Sequence, residues 1–256
     1  MQPIEQPRAA GGVSLIRMRM VLMALPFLAA CNVAPEGAEI HDPYERHNRQ
    51  VHALNVDVDR IALRGSASAY GTGVPRPVRR GIGNAADNLA QPRRVLNSLL
   101  QFRLEDAIAN TYRFVLNSTV GVAGVFDPAG ALGINAREAD FGETLFVWGV
   151  PEGAYLELPF LGPATERRAV GHVADFALDP LHQVLAVRQR NRALAVRAAG
   201  LVDQRERAST FLESTLYESA DSYAQARLMY LQNRRFAIGD DAQTQFIDPY
   251  EDDHED

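Results

Sequence analysis

The chain has 256 residues, 46% of them hydrophobic and 23% charged, with a formal net charge of −6. That length and composition suit one generous domain or two small ones with a real core, and exclude disorder over most of the chain. The charge is uneven: residues 240–256 hold eight acidic side chains and no Arg or Lys, and residues 1–30 hold Arg8, Arg17 and Arg19 against Glu5. The stretch between them carries 23 basic and 23 acidic residues. A neutral body announces no basic face, so nucleic acid is not an expected partner. All 26 basic residues are Arg, which removes a P-loop lysine or a Schiff-base lysine.

Cys31 is the single cysteine, which excludes an intramolecular disulfide and any multi-cysteine metal site. Arg17 and Arg19 precede an apolar run over residues 20–30 that is of signal-peptide length and too short to span a bilayer. The four residues Leu28-Ala29-Ala30-Cys31 match the lipobox of bacterial lipoproteins, whose thiol accepts diacylglycerol before cleavage. Residues 1–30 therefore read as a lipoprotein signal peptide, with Met18 a candidate start that would make 1–17 an upstream artefact. Residues 31–41 read as a lipidated tether. Asn32 rather than Asp follows the cysteine, so the expected destination is the outer membrane. Acyl chains on Cys31 anchor through burial of CH₂ groups, each worth about 0.8 kcal/mol.

The mature chain reads as mostly helical. Val51, Leu54, Val58 and Ile61 fall at helical spacing, predicting an amphipathic helix over 44–64 that Gly65 stops. Its other face carries Arg46, Arg49, Asp57, Arg60 and Arg64. A loop over 71–77 and helices over 78–90, 92–101 and 104–120 follow, with Pro92 suited to a first turn. Residues 121–171 are rich in Gly and Pro and read as turns, with strand candidates at 144–148 and 155–158. Two long helices over 180–202 and 204–238 close a single domain spanning 42–239, Gly239 ending the second. The acidic tail 240–256 reads as solvated and without fixed structure.

Motifs for covalent chemistry are missing. The sequence has no Gly-x-Ser-x-Gly, no His-Glu-x-x-His and no phosphate-cradling Gly-rich loop with Lys. His47 and His52, five apart, point away from each other on a helix and read as surface residues. The acidic tail lacks the Gly-centred spacing of a calcium loop. No enzyme, metal or dissociable cofactor is expected.

Five separated segments carry a resemblance. They are Asp42-Pro43-Tyr44-Glu45-Arg46-His47-Asn48-Arg49 continuing to Asn55 and Asp59; Pro77-Val78-Arg79-Arg80-Gly81-Ile82 with Asn84, Asn88, Pro92, Asn97 and Leu100-Gln101; and Arg113-Phe114 with Asn117-Ser118-Thr119, Gly121, Gly124, Asp127 and Ala129. The fourth runs from Asp140-Phe141-Gly142-Glu143-Thr144-Leu145 through Trp148-Gly149, Gly153, Tyr155-Leu156, Leu158-Pro159 and Gly162-Pro163, and the fifth holds Asp221, Tyr223, Arg227, Tyr230-Leu231-Gln232 and Arg234. In this order over residues 42–235 they resemble the MlaA/VacJ family of phospholipid-handling lipoproteins. The sequence departs from the family pattern at His47, Leu54 and Ala85, where aromatic residues often flank the Asn positions, and at Ala154 in place of a usual Pro.

The resemblance implies amphipathic helices forming a ring in the inner leaflet of the outer membrane. A passage through the ring would carry phospholipid from the outer leaflet to a soluble periplasmic carrier, and the family associates with trimeric porins. The alternative is a structural envelope lipoprotein that braces porins or peptidoglycan. Candidate residues for the lipid path are Asn48, Arg49, Asn55, Asp59, Asn84, Asn88, Arg113 and Asn117. The side-chain amides of Asn48, Asn55, Asn84, Asn88 and Asn117 can donate and accept without carrying charge, which suits a polar lining at membrane depth. They equally suit helix caps and loop ties. The tie is the favoured role for Asn84, Asn97 and Asn117, while for Asn48 and Asn55 both roles stand open. Arg113, Arg227 and Arg234 suit either lipid phosphate or internal ion pairs. Trp148 suits an interfacial anchor or, as the favoured reading, plain core.

Overall fold

The computed structural model describes residues 40–239. The signal peptide, Cys31, all but the end of the tether and the acidic tail lie outside the described residues. Helix dominates, as expected. In chain order the elements are α1 (Glu45–Val58), a π-helical turn (Asp59–Leu63), α2 (Arg64–Gly73), α3 (Arg76–Asn88), α4 (Gln91–Leu100), α5 (Leu104–Thr119), α6 (Pro128–Ala131), α7 (Phe141–Val147), β1 (Tyr155–Leu158), β2 (Gly162–Thr165), α8 (Glu166–Leu178), α9 (Pro180–Val184), α10 (Val187–Arg207), α11 (Ser209–Leu216) and α12 (Ser222–Ile238). Among the described residues no helix is long and apolar enough to cross a membrane.

Several boundaries differ from expectation. Gly65 does not stop the first helix. The chain passes through the π-helical turn and stays helical to Gly73, so the expected loop shrinks to Val74 and Pro75. Residues 144–147 belong to α7 and not to a strand, with Trp148 just past its end, because Asp140 caps the helix by accepting the N–H of Glu143 at 2.9 Å. Residues 155–158 do form a strand, paired antiparallel with β2 from Tyr155 opposite Thr165 to Leu158 opposite Gly162. Each of the two long closing helices is two helices. Asp179 caps the short α9 through Leu181 N–H, and Asp221 restarts the chain as α12 through Ala224 N–H. Gly239 ends α12 in the left-handed region at φ 68°, where a side chain would be strained.

Contacts divide the chain into two compact units, each gathered from separated stretches. Within the described residues the first holds Asn84–Gly153 and Glu166–Arg197, and the second holds residues 40–83, Ala154–Thr165 and residues 198–239. In the first unit α5 packs along α4, and α7 packs along α8. In the second, the β-hairpin lies against α1, and α11 packs on α12.

What is buried reverses the usual pattern. Among the described residues 22 buried side chains are polar or charged, while 15 are apolar and eight of those are alanine. Twenty-nine large hydrophobic residues are exposed. A water-solvated domain hides its Leu, Val and Phe and seldom buries Arg or Asp. Here the interior is held by hydrogen bonds and ion pairs, and the apolar side chains face out.

Candidate functional site

Helix α5 shows how one sequence writes both faces. Ala107, Asn110, Arg113 and Asn117 recur at spacings of three and four and all are buried. Leu104, Ile108, Tyr112 and Val115 recur on the opposite side and all are exposed. The inward groups find most of their partners within this unit, though Arg113 Nε is buried without one. Asn110 donates to Arg137 O at 2.8 Å and accepts Arg137 N–H at 3.0 Å. Arg113 donates to Ile134 O and, at 3.1 Å, to Asp127. Asn117 donates to the same carboxylate at 2.8 Å and accepts Ala129 N–H. Burial pushes Asp127 upward, but the bonds from Gly130 N–H, Asn117 and Arg113 outweigh it and hold the carboxyl below its ordinary pKa.

Helix α4 repeats the design. Gln91, Arg94, Asn97 and Ser98 are buried, while Leu99 is exposed. Asn97 donates to Asp175 at 2.9 Å and accepts from the Thr144 hydroxyl at 3.0 Å, and that hydroxyl in turn accepts from Gln101. Arg94 bridges Asp87 and Glu138, both at 2.6 Å. Trp148 is half exposed, with its indole N–H donating to Leu100 O at 3.1 Å, so the core reading is overturned.

The turn after α5 presents apolar side chains at a backbone cost. Val122 and Ala123 hold φ values of 52° and 56°, and a β-branched residue in the left-handed region is strained. The surroundings enforce it: Gly124 N–H donates to Asn117 O at 2.8 Å, Phe126 N–H to Gly121 O at 2.9 Å, and Asn84 to Val125 O at 3.1 Å. Asn88, buried, donates to the Ser118 hydroxyl at 2.9 Å. The result is a rigid tip from which Val122, Val125 and Phe126 project.

In the second unit α1 buries a polar stripe. Asn48 is fully buried, donating to Asp42 at 2.9 Å and Tyr155 O at 3.1 Å while accepting Glu157 N–H at 3.0 Å. Asn55 donates to Glu157 and Leu158 O and accepts Phe160 N–H. His52, expected at the surface, is buried between them, 3.4 Å from Glu157 and 3.1 Å from the Ser222 hydroxyl. Of the expected apolar stripe only Val51 is buried. Leu54 and Ile61 are 46% and 83% exposed, because the polar stripe has taken the inside.

Ion pairs complete this unit. Arg205 grips buried Asp59 through two nitrogens at 2.7 and 2.9 Å, and the Tyr217 hydroxyl donates to the same carboxylate at 2.7 Å. Burial raises the Asp59 pKa, but the bonds from Arg205 and Tyr217 outweigh it and bring it below the ordinary value. Arg227 pairs with Asp42, which also accepts from the Tyr223 hydroxyl. Arg49 makes a bidentate, solvent-facing pair with Asp221 at 3.0 and 2.9 Å, stacks 4.6 Å from the Tyr223 ring centre, and draws the Asp221 pKa down to about 2.

The second unit also holds a cavity of about 540 Å³ bordered by α1, the hairpin, α11 and α12. Phe211, Leu212, Leu216 and Met229 make its wall mainly apolar, and Asn55, Glu157, Asn233 and Arg234 contribute polar atoms at its border. Its size and lining are those of a small-molecule site. Of the lipid-path candidates only Asn55 touches it. Asn48, Arg49 and Asp59 sit elsewhere in this unit, and Asn84, Asn88, Arg113 and Asn117 belong to the other. Phe211, Leu212 and Met229 carried no sequence signal beyond helical apolarity. Among the described residues no group of three His, Cys, Asp or Glu side chains could hold a metal ion.

Residues 40–237 match the family model described as MlaA lipoprotein. A Haemophilus influenzae protein named intermembrane phospholipid transport system lipoprotein MlaA is 31% identical over 85% of this chain and 87% of its own length. The Escherichia coli K12 protein of the same name is 29% identical over 86% and 89%. An uncharacterised Rickettsia bellii protein is 30% identical over 78% of each chain. A solved structure reported as the structural basis for maintenance of bacterial outer membrane lipid asymmetry superposes with a TM-score of 0.63 at 30% identity, covering 77% of this chain and 98% of its own.

Proposed function

Because the chain belongs to the MlaA lipoprotein family, we propose that it moves phospholipid between membranes and so maintains outer-membrane lipid asymmetry. The observation that carries this reading is the inversion seen in α5, with Asn110, Arg113 and Asn117 inward and Leu104, Ile108 and Val115 outward. A helix with that arrangement is stable where its outer face meets acyl chains and its inner face meets bonded polar groups. The strained tip bearing Val122 and Phe126 fits the same setting, since its bonds hold apolar side chains out of the protein. No covalent chemistry enters: the protein shelters lipid and passes it on intact.

The lipobox at Cys31 supports the anchor, and the family resemblance supports the direction, the carrier and the porin. Lipid on Cys31 would hold the chain to the periplasmic leaflet of the outer membrane. Phospholipid would be withdrawn from the outer leaflet and handed to a soluble periplasmic carrier, with a trimeric porin as neighbour. The cavity of about 540 Å³ suits part of a lipid, its apolar wall taking acyl chain and its polar border facing the headgroup end.

Lipid analysis of the purified, lipidated protein tests the reading. Intact phospholipid should co-purify with the chain. Lysophospholipid products would instead indicate a hydrolase, and lipid-free protein a structural brace.

A further inference from the structure

Four arginines and one aspartate border a second, smaller cavity of about 240 Å³ in the second unit: Arg76, Arg79 and Arg80 from the first turns of α3, with Asp203 and Arg207 from the end of α10. Two of the guanidiniums are set in place by neighbours. Arg79 pairs with Glu206 at 2.6 Å, and its Nε is buried with no hydrogen-bond partner. Arg207 pairs with Asp203, which is buried and also accepts from the Tyr70 hydroxyl at 3.0 Å. Arg76 and Arg80 are exposed and have no partner among the described residues. Four positive charges therefore face two carboxylates.

Two glycines make the arrangement possible. A Cβ on Gly71 would lie 2.7 Å from the Glu206 carboxylate, and a Cβ on Gly83 would lie 2.3 Å from the Arg207 guanidinium. The helices α2 and α3 thus give up side chains where the acidic and basic groups of α10 tuck in. This is a constructed pocket with surplus positive charge, and not a scatter of surface arginines.

We propose that this pocket binds a phosphate group, and, resting on the phospholipid-transport reading above, that the phosphate is that of a lipid headgroup. Guanidinium is the side chain whose planar fork matches phosphate oxygens two at a time, and it keeps its charge at every physiological pH. Arg76 and Arg80 supply the unpaired donors. Arg79 and Arg207, already fixed by carboxylates, supply rigid ones at little further entropy cost.

The test uses the full lipidated chain in detergent, titrated by calorimetry with dihexanoylphosphatidylglycerol below its micelle concentration and, separately, with inorganic phosphate. Wild type should bind the short-chain lipid, and phosphate should compete for it. The double variant Arg76→Gln/Arg80→Gln alters only exposed, unpaired side chains, so it should melt as wild type does. It should weaken both probes by about tenfold or more, as expected for losing a charge-assisted hydrogen bond. Binding of inorganic phosphate alone, lost in the variant, keeps the anion site and assigns it to free phosphate. Unchanged binding of both probes in the variant overturns the site. If the site is overturned in that way, intact phospholipid still co-purifying with the variant leaves the transport reading standing.

Discussion

The side-chain oxygen of Asn55 accepts the backbone N–H of Phe160 at 2.8 Å, and that bond holds the hairpin tip where Phe160 stands at φ 65° with its ring in the open. The same amide donates to Glu157 at 3.1 Å and Leu158 O at 3.0 Å. Asn55 is thus a clamp on the hairpin as well as a border of the larger cavity. Asn55→Leu should strand three partners and cost about 2–4 kcal/mol, at roughly 1–3 kcal/mol for each buried group left unpaired and less where water reaches it. Thermal unfolding should shift down by several degrees, at about 2–4 °C per kcal/mol for a chain of this size. A melting temperature equal to wild type would contradict the clamp.

The pair of Asp59 and Arg205 joins the π-helical turn to α10 with both side chains nearly hidden. Asp59→Ala would leave a buried guanidinium with only Glu213 at 3.3 Å, and should cost about 3–5 kcal/mol. Asp59→Ala with Arg205→Met should cost less than the sum of the two single changes. Additive losses in a double-mutant cycle would mean that the two side chains do not depend on each other.

Acid should unfold the protein through a small set of carboxylates. Asp221 is drawn to about 2 by Arg49, and Asp59 and Asp127 are also lowered from 3.8. A carboxylate whose folded pKa lies below its unfolded value adds stability above the unfolded value and loses it as pH falls through the folded one. Stability should therefore hold level from neutral pH to about 5 and fall between about 4 and 2. Arg49→Gln should flatten the lowest part of that curve, read by melting at each pH. Loss of stability beginning near pH 6 would point to groups other than these.

Helical character, the strand at 155–158 and most of the boundaries from 78 to 120 were legible in periodicity and in Pro92. The inversion was not. Val51, Leu54, Val58 and Ile61 make a proper helical stripe, yet periodicity cannot say which face turns inward, and a row of Asn48, His52, Asn55 and Asp59 wins the interior because the hairpin and α10 offer it partners. Those partners lie about a hundred residues or more along the chain, beyond the reach of local pattern. The helix at α7 was legible and missed: Asp140 with Glu143 three residues on is a capping signal, overridden by the apolar run that follows. The candidate asparagines were found as a set. Their neighbours, which decide whether an amide ties a loop or faces a passage, come only from the fold.

The tip at Val122 separates strain from use. Val122→Gly should remove the cost of holding a β-branched residue at φ 52°, raising stability by about 1 kcal/mol. Because it deletes an exposed apolar side chain, it should also weaken binding to phospholipid vesicles. A variant both more stable and weaker on vesicles fits a tip strained for membrane contact. Unchanged vesicle binding would make the strain incidental.

Surface labelling of outer-leaflet phospholipid, in cells lacking this protein and in cells carrying it back, reads the proposed phospholipid transport itself. Loss of the protein should raise labelled phospholipid in the outer leaflet. Wild type should restore the normal level, while Ile108→Arg, which sets a charge on the outward face of α5, should fail to do so. Labelling unchanged by the loss of the protein would contradict a role in phospholipid transport.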